Sequence, residues 1–312
     1  MTSSRRDFLF IVSGLLTGSA TRAFANDRSS GVRTRGTSPR PSPSPASPLG
    51  GAFGVSLSTA RPAQGAALLL TCRTPPAGEL IATFAGHTFP FYPGTTPGAA
   101  RAILGADLEL EPGPREITIS SAATPPVTQV VPVTVRKGDF TVQRLKVAEK
   151  MVHPDPEAER RIAREAAVLD AIFKGVTPRL FAGKFLRPVP GHETASFGGR
   201  RVFNGVPKSP HSGVDMHADT GTPVKAPAAG RVVLVADHYF TGNTIVLDHG
   251  LGLFTQYAHL SAFSVLEGLV LKPGQVIGKV GATGRVTGPH LHWAARVSGA
   301  RVNPLDLTKL EL

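Results

Sequence analysis

The sequence predicts a mainly β protein: an N-terminal immunoglobulin-like sandwich, a connecting helix and a C-terminal domain of antiparallel β-sheet. Three observations carry this. Glycine and proline are plentiful, 34 and 28 of 312 residues, while charged residues make up only 18%, a balance that favours turn-rich sheet over long charged helices. Apolar runs are short and end in turn signals through most of the chain. A clear helical stripe is found in one place, around residues 156–173. A chain of this length also exceeds one ordinary core, so two domains with connecting segments are expected.

The first 25 residues read as an address. Ser4-Arg5-Arg6-Asp7-Phe8-Leu9 leads into an apolar stretch ending near Leu16, followed by Ala23-Phe24-Ala25. A basic start, a short apolar region and a small-x-small end make a secretory signal, too short for an ordinary membrane span. The paired arginines before Phe-Leu resemble the twin-arginine export signal. Cleavage is expected after Ala25, leaving no stable membrane span and a periplasmic location; a retained anchor is the alternative. Residues 26–50, with Pro39-Arg40-Pro41-Ser42-Pro43-Ser44-Pro45, bury little apolar surface and read as a disordered spacer.

From Gly54 to Val147 short strands follow one another: Ala66–Thr71, Leu80–Phe84, Arg115–Ile119 and Thr128–Val135, separated by Pro93-Gly94, Pro97-Gly98 and Pro112-Gly113-Pro114. Such spacing suits an immunoglobulin-like sandwich over 54–147. It carries no cluster of catalytic residue types, so binding, positioning or occluding is its expected task. Within a 148–180 connector, Asp155-Pro156-Glu157 starts a helix with an N-cap, a proline at the first position and an early acid. Ile162, Ala166, Leu169 and Phe173 form its apolar stripe, Gly175 and Pro178 end it, and Arg160, Arg161, Arg164 and Glu165 read as a solvated face. In 181–312, Arg231–Ala236, Asn243–Asp248 and Leu253–Ala258 read as a meander, closed by a strand over His290–Val297.

The net charge of +12, or +10 once three arginines and one aspartate leave with the signal, calls for an anionic partner. Nucleic acid, anionic lipid and anionic wall polymer all satisfy that condition, so charge cannot choose. A nucleic-acid binder has the charge but no recognised motif, and aromatics are only 6%. The single cysteine, Cys72, excludes an intrachain disulfide and a cysteine-based zinc cluster and reads as a buried strand residue.

Chemistry concentrates in the last third. In His290-Leu291-His292 both side chains point to one face of a strand, roughly 6–7 Å apart along it. In His211-Ser212-Gly213-Val214-Asp215 a straight strand would separate the ends by roughly 13 Å, too far to share an ion. Pro210 and Gly213 argue against a helix. A bend at Gly213 is the remaining way to join His211 and Asp215. Tyr257-Ala258-His259-Leu260 ends a strand in a third histidine. Two or three histidines with one carboxylate suit zinc with a position open for water, and a free imidazole beside it can move protons. Spacing leaves open which histidine of the pair binds metal.

Residues from about Ser196 to Asp306 resemble the lysostaphin-type zinc metallopeptidases, the LytM-domain or duplicated hybrid motif proteins. The resemblance rests on Ser196-Phe197-Gly198, His211-Ser212-Gly213-Val214-Asp215, Gly221-Thr222-Pro223-Val224, Asp248-His249-Gly250, Tyr257-Ala258-His259-Leu260, Gly281, Gly284 and Thr287-Gly288-Pro289-His290-Leu291-His292-Trp293. It implies zinc on His211, Asp215 and His292, with His259 and His290 as catalytic histidines. It further implies hydrolysis of peptide bonds in bacterial peptidoglycan, either stem-peptide cross-links or glycine bridges. An export signal without wall-binding repeats favours D-alanyl–diaminopimelate cross-links. Family members that have lost ligands activate other wall hydrolases. Here none of the five positions is missing, so the runner-up is a regulatory wall protein, with a divisome or other regulatory partner, working through its N-terminal domain. His217, His238 and His249 match none of the five positions and read as structural, His249 as a packed turn residue. His87, His153 and His192 read as surface residues. Tyr257 and Asn204 are candidates for the groove border, each with a structural reading beside it, and Arg200 and Arg201 for contact with anionic polymer.

Overall fold

Alternation of buried and exposed residues builds the N-terminal half. Along Leu80–Phe84 the residues Leu80, Ala82 and Phe84 are buried while Ile81 and Thr83 face outward, and Val131, Val133 and Val135 repeat the pattern in Val127–Val135. Side chains two apart share a face, so each strand offers one apolar side to a core. In the computed structural model, which describes residues 48–49, 53–146, 154–207 and 209–312, these strands form two antiparallel sheets. One orders Pro48–Leu49, Val55–Leu57, Ala67–Cys72, Ala100–Gly105 and Tyr92–Pro93; the other orders His87–Pro90, Leu80–Phe84, Gly113–Ser121 and Val127–Val135. Cys72 is fully buried, and burial pushes its thiol up to about 12. The export signal, its cleavage point after Ala25, nearly all of the spacer and His153 lie outside the described residues.

The C-terminal half is built on one large sheet. Its main path runs Glu193–Ala195, Gly213–Met216, Leu291–Val297, Leu253–Phe263, Gly242–Gly250, Gly230–His238 and Val270–Leu271. The three consecutive strands from Gly230 to Phe263 form the expected meander, with antiparallel pairing throughout. Gly242–Gly250 is buried on both faces. Ile245 and Leu247 enter the main core on one side, and Val246 packs with Leu234, Phe254 and Phe173 on the other.

The helix Pro156–Phe173 starts as its cap dictates. Asp155 Oδ1 accepts from the backbone N–H groups of Glu157 and Ala158 at 3.0 and 2.8 Å, satisfying donors that have no partner inside the helix. Phe173 at its end meets the Phe254 ring edge-on at 5.7 Å. Two expectations about this helix change. Arg161 and Glu165 are not simply solvated: Arg161 bonds Glu165 at 2.6 Å and Asp237 at 3.2 Å, and Glu165 accepts from the Tyr239 N–H. The apolar stripe is only partly covered, with Ala166 exposed and Leu169 half-buried.

One cluster of buried residues takes in both halves of the molecule. Phe53, Leu68, Phe84 and Val133 share it with Phe181, Phe185, Leu253, Val297, Val302 and Leu312. Arg301 adds a polar tie, reaching Asp107 and Glu109 at 2.6 Å each. Val142–Leu145 also pairs in parallel with Arg200–Phe203, a departure from the antiparallel expectation. Parallel pairing is open to it because the two segments lie far apart in sequence, with a long crossover between them.

Candidate metal centre

Register places the polar residues. Asp215 lies directly opposite His292 in one antiparallel pair, and His292 lies opposite Ala258 in the next. One line across three strands therefore brings the carboxylate, the imidazole and the residue before His259 side by side. His211 stands just before the strand Gly213–Met216, which Gly213 opens. Gly213 is thus a strand residue rather than the expected bend, and it serves a different need. A β-carbon there would lie 2.6 Å from the Trp293 carbonyl oxygen and 2.7 Å from His292 Cε1. Only glycine lets the strand approach the His292 ring this closely.

His211 Nε2, Asp215 Oδ1 and His292 Nδ1 form a triangle with every side 2.9 Å. All three residues are buried, with exposures of 4, 7 and 9%. The His211 Nδ1–H donates to the Ser196 carbonyl at 3.1 Å, which turns the Nε2 lone pair inward. A carboxylate oxygen and imidazole nitrogens converging on one point is a cation's donor set, and an ion about 2 Å from each is within zinc's bonding range. Among the described residues these three make the single such group of histidine, cysteine and carboxylate side chains. Burial by itself would raise the Asp215 pKa, but the neighbouring His211 and His292 imidazoles outweigh it and hold the carboxyl well below the usual range. It is ionised at neutral pH.

Two further histidines border the triangle. His290 Nε2 lies 3.7 Å from Asp215 Oδ1, and its Nδ1–H donates to the Gly288 carbonyl at 2.9 Å. The His259 ring lies 4.8 Å from that of His290 and 6.0 Å from that of His292, centroid to centroid. The His259 Nδ1–H donates to the Thr283 carbonyl at 2.9 Å. Both rings thus hold one nitrogen as a donor to the main chain and leave Nε2 as an acceptor. Burial, with the neighbouring His292 and His290, pushes His259 down to about 3 against the Thr283 bond, so its imidazole is neutral.

His259 owes its direction to a bulge. Asn243 pairs with Leu260 and Ile245 with Tyr257, so Ala258 and His259 together oppose Thr244. His259 takes φ +62°, a left-handed conformation that non-glycine residues seldom adopt outside constrained sites. The same strand leaves Leu291–Val297 after Ala258 and pairs with Val276–Val280 from Leu260 onward. A bulge at such a change of partner re-aims one side chain, here the imidazole.

Of the remaining residues, Tyr257 and His249 are fully buried. His249 lies in the Gly242–Gly250 strand rather than in a turn. Its Nδ1–H donates to the Ala229 carbonyl and its Nε2 accepts from the Thr255 hydroxyl, each at 2.7 Å, and Thr255 in turn bonds the Tyr257 hydroxyl. Asn204 and Gly205, with φ +49° and +88°, form a two-residue hairpin turn between Arg200–Phe203 and Val206–Pro207. Arg200 is exposed, as are His192 and His217. His87 is half-buried and bonds the Ser298 carbonyl, unlike the surface residue expected. The carbonyls of Ser196, Thr283 and Gly288 orient the rings of His211, His259 and His290, a role no sequence signal marks, because any residue type can supply a carbonyl.

The β-sheet thus presents a buried His-Asp-His triangle that could hold a metal ion, flanked by two oriented imidazoles. Residues 209–304 match the family described as peptidase family M23. A crystal structure assigned to peptidase M23 from Pseudomonas aeruginosa is 31% identical, covers 79% of this chain and 95% of its own, and superposes with a TM-score of 0.63. The chain belongs to peptidase family M23, a family of metallopeptidases. A stretch of 97 residues, 31% of this chain, is 50% identical to the DD-carboxypeptidase/endopeptidase Mpg of Neisseria meningitidis. The peptidoglycan DD-endopeptidase ShyA of Vibrio cholerae is 44% identical over 97 residues, again 31% of this chain. Lysostaphin of Staphylococcus simulans is 42% identical over 96 residues, 30% of this chain. The matched stretch spans only 22, 23 and 20% of these three relatives. Among the described residues no helix is long and apolar enough to cross a membrane.

Proposed function

We propose that this protein is a zinc-dependent endopeptidase that hydrolyses peptide cross-links of bacterial peptidoglycan, with D-alanyl–diaminopimelate bonds as its substrate. The observation that carries the reading is the 2.9 Å triangle of His211, Asp215 and His292 with two acceptor imidazoles beside it. Relatives named for DD-endopeptidase activity support the choice of bond, and the net positive charge suits an anionic wall. When bound, zinc supplies a Lewis acid that polarises the scissile carbonyl and acidifies water.

The chain's own residues do the rest. His211, Asp215 and His292 hold the ion, and Ser196 fixes the tautomer of the first. His259 Nε2 accepts a proton from the attacking water, because Thr283 holds the other ring nitrogen as a donor. His259 then returns that proton to the leaving amine, while His290, oriented by Gly288, presents its Nε2 acceptor to the attacking water and helps to orient it. The Arg-Arg signal supports export to the periplasm, where a divisome or other regulatory partner would control such an enzyme.

Mass analysis of muropeptides released from purified peptidoglycan tests the bond. New products ending in D-alanine, with free amines on diaminopimelate, are expected; intact cross-links with a zinc-loaded protein would contradict the reading. His292→Ala is expected to lose both zinc and turnover. His259→Ala and His290→Ala are expected to lose turnover by at least about a hundredfold while keeping zinc.

A further inference from the structure

A groove of about 740 Å³ leads away from the metal centre across the face of the sheet. Its floor is the strand of His292. Alternation puts Ala294 and Arg296 on the same face, with Arg296 roughly 13 Å along from the metal ligand. Gln256, opposite Ala294 on the next strand, completes the floor. One wall is the incompletely covered face of the helix, with Ala166, Leu169 and Phe173. The other wall includes Gly86, His87 and Thr88 of the N-terminal half, at the start of the strand His87–Pro90, held in place where the His87 Nδ1–H donates to the Ser298 carbonyl at 2.8 Å.

Arg296 is the unusual member of this lining. Its guanidinium carbon lies 5.2 Å from the Phe173 ring centre, and its protein hydrogen bond is a long one, 3.4 Å, to the Gly299 carbonyl. Among the described residues no carboxylate lies within 4 Å of it, whereas its cross-strand neighbour Arg301 is paired with both Asp107 and Glu109. The acid of the groove, Asp170, is held by Lys174 at 2.6 Å. Burial, reinforced by Arg301 and only partly offset by Asp107 and Asp170, pushes Arg296 down to about 10. A desolvated cation with no carboxylate in contact is costly, and an anion entering the groove would relieve that cost.

We propose that the groove seats one arm of the cross-linked peptide substrate and that Arg296 binds a free carboxylate of that arm. This rests on the endopeptidase reading above and names what the site selects. It also gives the N-terminal half a part in the reaction, as one wall of the substrate groove. Arg296 acts by positioning the scissile bond over the metal centre.

The test uses the zinc-loaded full chain with a D-alanyl–diaminopimelate cross-linked peptide dimer in two forms, free carboxylates intact or converted to primary amides. Wild type should show a KM about tenfold to a hundredfold lower for the carboxylate form, the range of a charge-assisted hydrogen bond. Arg296→Gln should erase that preference through KM, and Arg296→Lys should restore part of it. Ala166→Trp, placed on an exposed helical position, should raise KM with zinc content unchanged even if Arg296→Gln folds poorly. Calorimetric binding of both peptide forms is measured alongside. A carboxylate preference in binding that depends on Arg296, without turnover, would overturn the proposed reaction and leave the groove assignment standing. Turnover or binding that does not distinguish the two forms overturns the inference.

Discussion

Gly213 shows how a single residue constrains the centre, and His249 how one constrains the fold. A methyl group at Gly213 has no space against the Trp293 carbonyl and the His292 ring. Gly213→Ala is therefore expected to cost about 1–3 kcal/mol of stability through overpacking and to weaken metal binding by tilting His292. Zinc content and Tm together check this, and a fully loaded, fully stable variant would disprove the close-approach account. His249 is buried neutral, its pKa pushed down to about 4 by burial against the Ala229 carbonyl bond. Since the unfolded chain binds that proton near pH 6.5, the native state holds fewer protons below this value. Stability from this site is complete above about pH 6.5 and falls as pH drops toward 4, by about 3 kcal/mol in all. Melting curves between pH 7.5 and 4 should show a steeper acid loss in wild type than in His249→Gln. Equal slopes would remove His249 from the balance.

At the scale of elements, the helix Pro156–Phe173 and the bulged strand Leu253–Phe263 do the positioning. The helix depends on its first turn, where Asp155 caps two N–H groups. Asp155→Ala is expected to destabilise the protein by about 1 kcal/mol, roughly 2–4 °C in Tm. An unchanged Tm would mean that contacts of Arg161, Glu165 and Phe173 hold the helix without its cap. Both ends of this helix were legible in the sequence, since a cap and a proline act within one turn. Its partial burial was not, because a stripe at helical spacing says which face is apolar and not what will cover it. The strand Leu253–Ala258 was equally legible from its apolar pattern. The bulge after it was not, since no glycine marks the left-handed residue at His259.

For the whole molecule, the shared core decides behaviour. Phe181, Phe185, Leu253 and Val297 pack in one cluster with Leu68, Phe84 and Val133, and Arg301 ties the same surfaces through Asp107. Separating the halves would expose this apolar surface, at about 25 cal/mol per Å². The described part of the chain should unfold in one calorimetric transition, with equal calorimetric and van't Hoff enthalpies. Two resolved transitions would show that the halves are stable independently. The sequence pattern marked the turn-rich strands and the helix between them, but it carried no sign that one core spans both sides of that helix.

The sequence by itself determined the mainly β class, the start of the helix and the short motifs that hold His211, Asp215, His259, His290 and His292. Each follows from signals within a few residues, such as period-two burial, a cap, or polar side chains spaced closely along the chain. Tertiary structure decided how those residues are aimed and what lies beside them. Asp215 and His292 meet through strand pairing across 77 positions, and the groove wall is fixed by a bond between His87 and Ser298, 211 positions apart. The acceptors that orient the histidines are main-chain carbonyls of Ser196, Thr283 and Gly288. A carbonyl is the same in every residue, so its role appears only when the fold brings it to the ring.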